Sequence, residues 1–205
     1  LQIAGSVKDY QKKFAAYELP HDSKLKAELL YYRLMIFERL FPFYATLGIL
    51  MLAGLIIMLM KGRKQISLFV KILSWVLFAG FLLHTIGLGL RWYISGHSPM
   101  SNGYESMIFI SWVTLMAGFI FSRRSPLALS ATAVLAGLTL MVAHLSFMDP
   151  EITNLVPVLK SYWLTLHVSV ITGSYAFLGL GAILAIISMI LISLSDNRNI
   201  GRVST

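Results

Sequence analysis

Apolar and polar positions follow two patterns along this chain. Residues 1–20 are mixed and polar, ending in "ELPHD". Pro20 before Asp22 and Ser23 reads as a helix start. Leu25, Leu29, Leu30, Leu34, Phe37 and Leu40 then recur near helical spacing, while Lys24, Lys26, Glu28, Arg33, Glu38 and Arg39 fill most of the other face. This predicts an amphipathic helix leading into a membrane. Beyond it the pattern changes to five long apolar runs, over residues 41–60, 67–91, 103–121, 126–147 and 162–193. Each is near the ~20 residues needed to cross the hydrocarbon core. The expected fold is therefore all-α: a polytopic transmembrane helical bundle of about five spans. Residues 1–40 form an extracytoplasmic segment, 41–194 the membrane domain and 195–205 a polar tail.

Composition agrees. The chain is 57% hydrophobic and 13% charged, whereas a soluble domain is about 45–50% apolar and about 25% charged. The net charge of +8 would point to nucleic acid in a soluble protein. Here the basic residues cluster at the ends of apolar runs, so they set membrane orientation and nucleic acid is not an expected partner. Lys61, Arg63 and Lys64, then Arg123 and Arg124, then Arg198 and Arg202 share one side; Arg91 and Lys160 mark the short loops of the other. The first set is expected to be cytoplasmic. Residues 1–40 and the loops 92–102 and 148–161 then lie outside. There is no cysteine, hence no disulfide and no thiolate metal site. The first residue is Leu1 and no signal-peptide core is present, so the chain is expected to be a fragment, a processed product or part of a longer fusion.

Ionisable groups inside spans are costly and draw a functional hypothesis. The second span places Gly80, His84, Gly87 and Arg91 on one stripe. Its glycines allow a neighbouring helix or a flat ligand to come close. His84 fits either a hydrogen-bonded packing role or a ligand role. The fourth span puts Ser130, Ala133, Gly137 and His144 on one face, with His144 near the outer end. His144 reads as an interfacial histidine or a ligand. In the fifth span Tyr162 and Trp163 are interface anchors, and His167 lies about 6 Å of helix rise further in. Ligand and structural roles are equally open for His167. His97 and His21 read as solvated.

Neutral histidine is a common iron ligand, and haem needs little more than an axial histidine, an apolar slot and a basic group for its propionates. No Ser–His–Asp pattern, phosphate loop or HExxH is present. In the loop "GHSPMSNGYESMIFISW", Pro99 discourages helix at Ser98, and Asn102 with Glu105 has capping-box spacing. Glu105 is expected to reach back to the N–H of the cap. Arg91 ends one span and Glu105 begins its antiparallel neighbour, so an ion pair across the hairpin is also expected.

These residues carry a family resemblance. "RWYISGHSPMSNGYESMIFISW" (91–112) and "LVPVLKSYWLTLHVSVITGSYAFLGLGAILAI" (155–186) resemble the CcsA/ResC-type cytochrome c biogenesis proteins of the system II cytochrome c synthetase. The resemblance implies a haem-handling protein of the bacterial cytoplasmic membrane. Such a protein carries haem b across the membrane and presents it on the outer face. There haem becomes attached to CxxCH motifs of apocytochrome c. It also implies a ResB-type partner or fused half, and thiol-reducing proteins. In the family a histidine of a "W-L-x-x-H-V" motif is an axial ligand of external haem, and this falls on His167. Arg91 would then be available to haem propionates, as an alternative to pairing with Glu105. The family's Trp-rich "WWD" segment follows this span and is not in the sequence, so the chain is expected to be truncated before it, and not catalytic alone. Two other readings stay open from the residues themselves. One is a small b-type electron-transfer protein with paired histidines, and the other a non-catalytic membrane scaffold.

Overall fold

The computed structural model describes residues 6–7, 10, 22–61, 65–123, 125–145, 148–152 and 161–194. Among these there is no strand. From residue 22 onward the chain forms α1 (Asp22–Leu34), α2 (Ile36–Lys61), α3 (Gln65–Ser95), α4 (Gly103–Phe121), α5 (Pro126–Ala143) and α6 (Tyr162–Leu194). Among the described residues five helical stretches are long and apolar enough to cross a membrane, α1 and α2 counting together as one. The fold is thus the expected all-helical bundle. His21, Arg63, Lys64, Arg124, Lys160 and the tail 195–205 lie outside the described residues.

One boundary departs from expectation. The amphipathic helix was expected to continue through Leu40, but the chain bends at Met35, whose φ is +46°. That left-handed conformation costs a residue with a β-carbon about 1–2 kcal/mol. The bend stays hydrogen-bonded: Met35 N–H donates to the Tyr31 carbonyl (3.3 Å) and Arg39 N–H to the Met35 carbonyl (3.1 Å). It also redistributes the apolar face. Ile36, Phe37 and Leu40 enter the bundle core as the start of α2. In α1 only Tyr31 is buried, and Leu29 remains 72% exposed. α1 itself lies against α3.

The centre of the bundle is α5, built almost wholly of small residues on its inner faces. Ser130, Ala131, Thr132, Ala133, Ala136 and Gly137 are all buried. Lipid tails are as apolar as leucine, so helices associate here through close packing rather than the hydrophobic effect. α2 and α5 approach until their backbones touch. A Cβ on Gly137 would lie 2.7 Å from Ala45 N, and one on Gly48 would lie 2.6 Å from Val134 N. On the other flank Ser111 Oγ of α4 donates to the Ala136 carbonyl at 3.0 Å. The expected stripe on α3 is also a packing face. A Cβ on Gly80 would meet the Phe43 ring at 2.5 Å, and one on Gly87 the Phe37 ring at 3.0 Å. α6 is peripheral. It packs on α4 and α5 through Thr172, Ala176 and Leu180, and leaves most of its surface uncovered. The fourth span ends earlier than expected, with α5 stopping at Ala143 and His144 as its C-cap.

Candidate functional site

The polar centre of the molecule lies where α3 ends and α4 begins. Arg91 is fully buried and Glu105 nearly so. Their ion pair is short, Nε donating to Oε1 at 2.7 Å. The other guanidinium nitrogens are engaged as well. Nη1 donates to the Tyr31 hydroxyl (3.1 Å) and to the Pro150 carbonyl (2.8 Å), and Nη2 donates to the Glu151 carbonyl (2.9 Å). The guanidinium carbon also sits 5.0 Å from the centre of the Tyr104 ring, at cation–π distance. Arg91 therefore ties together α1, α3, α4 and the loop at 148–152. Of the two roles expected for it, this geometry supports the pairing with Glu105.

Glu105 also organises its own helix terminus. Asn102 is the N-cap, and its side-chain oxygen accepts the Glu105 N–H at 2.8 Å. The carboxylate turns back as a capping residue should, but one residue further than expected. Its Oε2 accepts the backbone N–H (2.6 Å) and hydroxyl (2.5 Å) of Ser101, because Oε1 is held by Arg91. Asn102 Nδ2 lies 3.5 Å from the Asp149 carbonyl, a second tie between the two loops. The sequence pattern pointed to Arg91, Asn102 and Glu105. It did not point to Tyr31 or to the carbonyls of Pro150 and Glu151, since a backbone acceptor in a loop leaves no residue signature.

His84 is fully buried in the bundle. Its Nε2 lies 3.1 Å from the Ile108 carbonyl and its Nδ1 3.3 Å from the Tyr44 hydroxyl. A carbonyl only accepts, so Nε2 carries the proton and Nδ1 is the acceptor in the neutral ring. The Tyr44 hydroxyl also reaches the Gly80 carbonyl at 2.9 Å, so its single proton serves two acceptors. The ring lies edge-on to Phe37, with centroids 5.2 Å apart. Both nitrogens of His84 thus have protein partners.

The other described histidines lie nearer the surface. His144 caps α5 and is exposed. His97 is half-buried in the loop, its Nδ1 3.0 Å from the Ser98 carbonyl. His167 is exposed on α6. It lies on the side of that helix away from Thr172, Ala176 and Leu180, the residues that pack on the bundle. Its neighbours on the helix are open too: Trp163 is 75% exposed and Val170 66%. Two residues on, Ser169 Oγ lies 2.9 Å from Met100 Sδ, so the 96–102 loop rests against the first turns of α6. Among the described residues no three His, Asp or Glu side chains converge on a metal position.

The family profile described as cytochrome c assembly protein matches residues 100–202. The chain belongs to the cytochrome c assembly protein family. The match begins at the loop just described and runs through α4, α5 and α6. This family member is 49% identical over 200 residues to the protein NrfI of Wolinella succinogenes, covering 96% of this chain and 22% of that protein. It is 38% identical over 133 residues to the cytochrome c biogenesis protein CcsA of Prochlorococcus marinus, covering 63% of this chain and 41% of CcsA. The CcsA of Cyanophora paradoxa is 40% identical over 119 residues, which is 54% of this chain and 37% of that protein. The chain therefore spans less than half the length of each of these relatives.

Proposed function

We propose that this chain takes part in cytochrome c biogenesis as one wall of an outward-facing haem site, with His167 as an axial ligand of the haem iron. The observation that carries this reading is the freedom of His167. It stands on the uncovered face of α6, one turn along from Trp163, and has no hydrogen-bond partner among the described residues. An iron ligand needs an uncommitted nitrogen and an apolar surface against which a flat macrocycle can lie. Trp163, Leu166 and Val170 supply that surface. The chain covers less than half the length of these relatives, and in this reading a further segment or a ResB-type partner completes the site with the second axial ligand.

Haem b is cargo in this reading. Its vinyl groups take up the cysteine thiols of a CxxCH motif in apocytochrome c, kept reduced by thiol-reducing proteins, and the protein positions the iron. Arg91 acts as a clamp. Through Glu105, Tyr31, Pro150 and Glu151 it fixes the loops at the haem end. The distribution of basic residues supports placing that end outside the bacterial cytoplasmic membrane. A b-type electron-transfer reading is less well supported, because it calls for paired histidines within the bundle and His84 has both nitrogens engaged. The test is covalent haem attachment to a reporter apocytochrome c by the full-length protein. His167→Ala should lower it at least about tenfold while protein levels hold. Undiminished attachment would refute the ligand role.

A further inference from the structure

At the end of the bundle opposite Arg91 a cleft of about 640 Å³ opens between the ends of α2 and α4 and the starts of α3 and α5. Its walls are apolar and aromatic, with Met58, Trp75, Phe78 and Phe119, and two cations line it, Lys71 and Arg123. Lys71 and Arg91 stand twenty residues apart on α3, so about 30 Å of helix separates them, the thickness of a hydrocarbon core. Lys71 therefore sits at the membrane boundary on the basic side, and Arg123 immediately follows α4 at the same end. Both are exposed, and neither has an ion pair or hydrogen bond among the described residues. Trp75, one helical turn deeper than Lys71, is 67% exposed.

We infer that this cleft is a binding site for one anionic phospholipid, with its phosphate between Lys71 and Arg123 and an acyl chain along Trp75, Phe78 and Phe119. The charge arrangement argues for this occupant. Basic pockets between transmembrane helices select anionic head groups, and an acyl chain suits walls of this apolarity. A zwitterionic lipid offers the same chain but no net charge for two cations. A free phosphate meets the cations but leaves the aromatic walls uncovered. The site is independent of the haem reading, since it lies at the other end of the bundle and uses none of the same residues.

The test uses the intact chain in detergent, titrated with phosphatidylglycerol or phosphatidylcholine brominated on the acyl chains. Bromine quenches indole on contact, and the Trp75 signal is the difference between the protein and Trp75→Phe. The anionic lipid should half-quench Trp75 at a concentration at least about fivefold lower than the zwitterionic one, the weight of about one cation near a membrane surface. Lys71→Gln with Arg123→Gln should bring the two lipids within about twofold. Lys71→Arg with Arg123→Lys should keep the preference, showing that charge and not folding is being read. Equal quenching by both lipids would overturn the inference. So would a preference that survives loss of both charges, or displacement of the lipid by inorganic phosphate.

Discussion

Arg91 Nε lies 2.7 Å from Glu105 Oε1, and the two side chains are withdrawn from solvent together. A buried ion pair of this kind is weak support for net stability, but breaking it by removing one partner leaves a charge with no counterpart. Glu105→Leu should therefore cost about 3–5 kcal/mol. Arg91→Met combined with Glu105→Leu should cost less than the sum of the two single changes. Equilibrium unfolding in bicelles, run as a double-mutant cycle, reads this directly. Additive losses would mean that the pair is not coupled.

The α2–α5 contact sets a second expectation. Gly137→Ala places a methyl group 2.7 Å from Ala45 N, so it should destabilise by about 1–3 kcal/mol through overpacking. Gly89→Ala provides the contrast. Nothing lies within 4 Å of a Cβ there, and replacing glycine in a helix should be neutral or gain up to about 1 kcal/mol. Thermal unfolding of the two variants side by side should show a loss for Gly137→Ala and none for Gly89→Ala.

Asn102 caps α4 and touches the loop at Asp149. Asn102→Ala should lose about 1 kcal/mol. Asn102→Asp, which keeps an acceptor for the Glu105 N–H, should retain most of the stability. Hydrogen exchange at the Glu105 amide should rise in the first variant and not in the second.

Tyr44→Phe removes the hydroxyl shared between His84 Nδ1 and the Gly80 carbonyl. The expected loss is about 1 kcal/mol, the worth of an ordinary hydrogen bond, with the ring packing of Tyr44 retained. His84→Ala should lose about 2–5 kcal/mol by opening a cavity at a fully buried position. Neither should alter a haem spectrum, because His84 holds protein partners on both nitrogens.

Much of this fold is legible in the sequence. The span at 103–121 was readable at both ends because Asn102 announces its cap and "SRR" closes its apolar run. The Arg91–Glu105 pair followed from their places on either side of one short hairpin. The bend at Met35 was not readable, since a positive φ is usually marked by glycine or asparagine and methionine carries no such mark. The early end of α5 was hidden for a related reason. Leu145 keeps the pattern apolar after His144 has already capped the helix. The full partner set of Arg91 depends on backbone carbonyls about sixty residues away, as the separation of Arg91 and Glu151 shows, and hydropathy does not record such contacts.

The most direct test of His167 as a haem ligand is the haem absorption of the purified full-length protein. His167→Ala should lose at least about half of the Soret intensity assigned to external haem, and added imidazole should restore part of it by filling the vacated axial position. His84→Ala, measured beside it, should leave that band in place. A Soret band that is unchanged in position and intensity in His167→Ala, and indifferent to imidazole, would contradict the account.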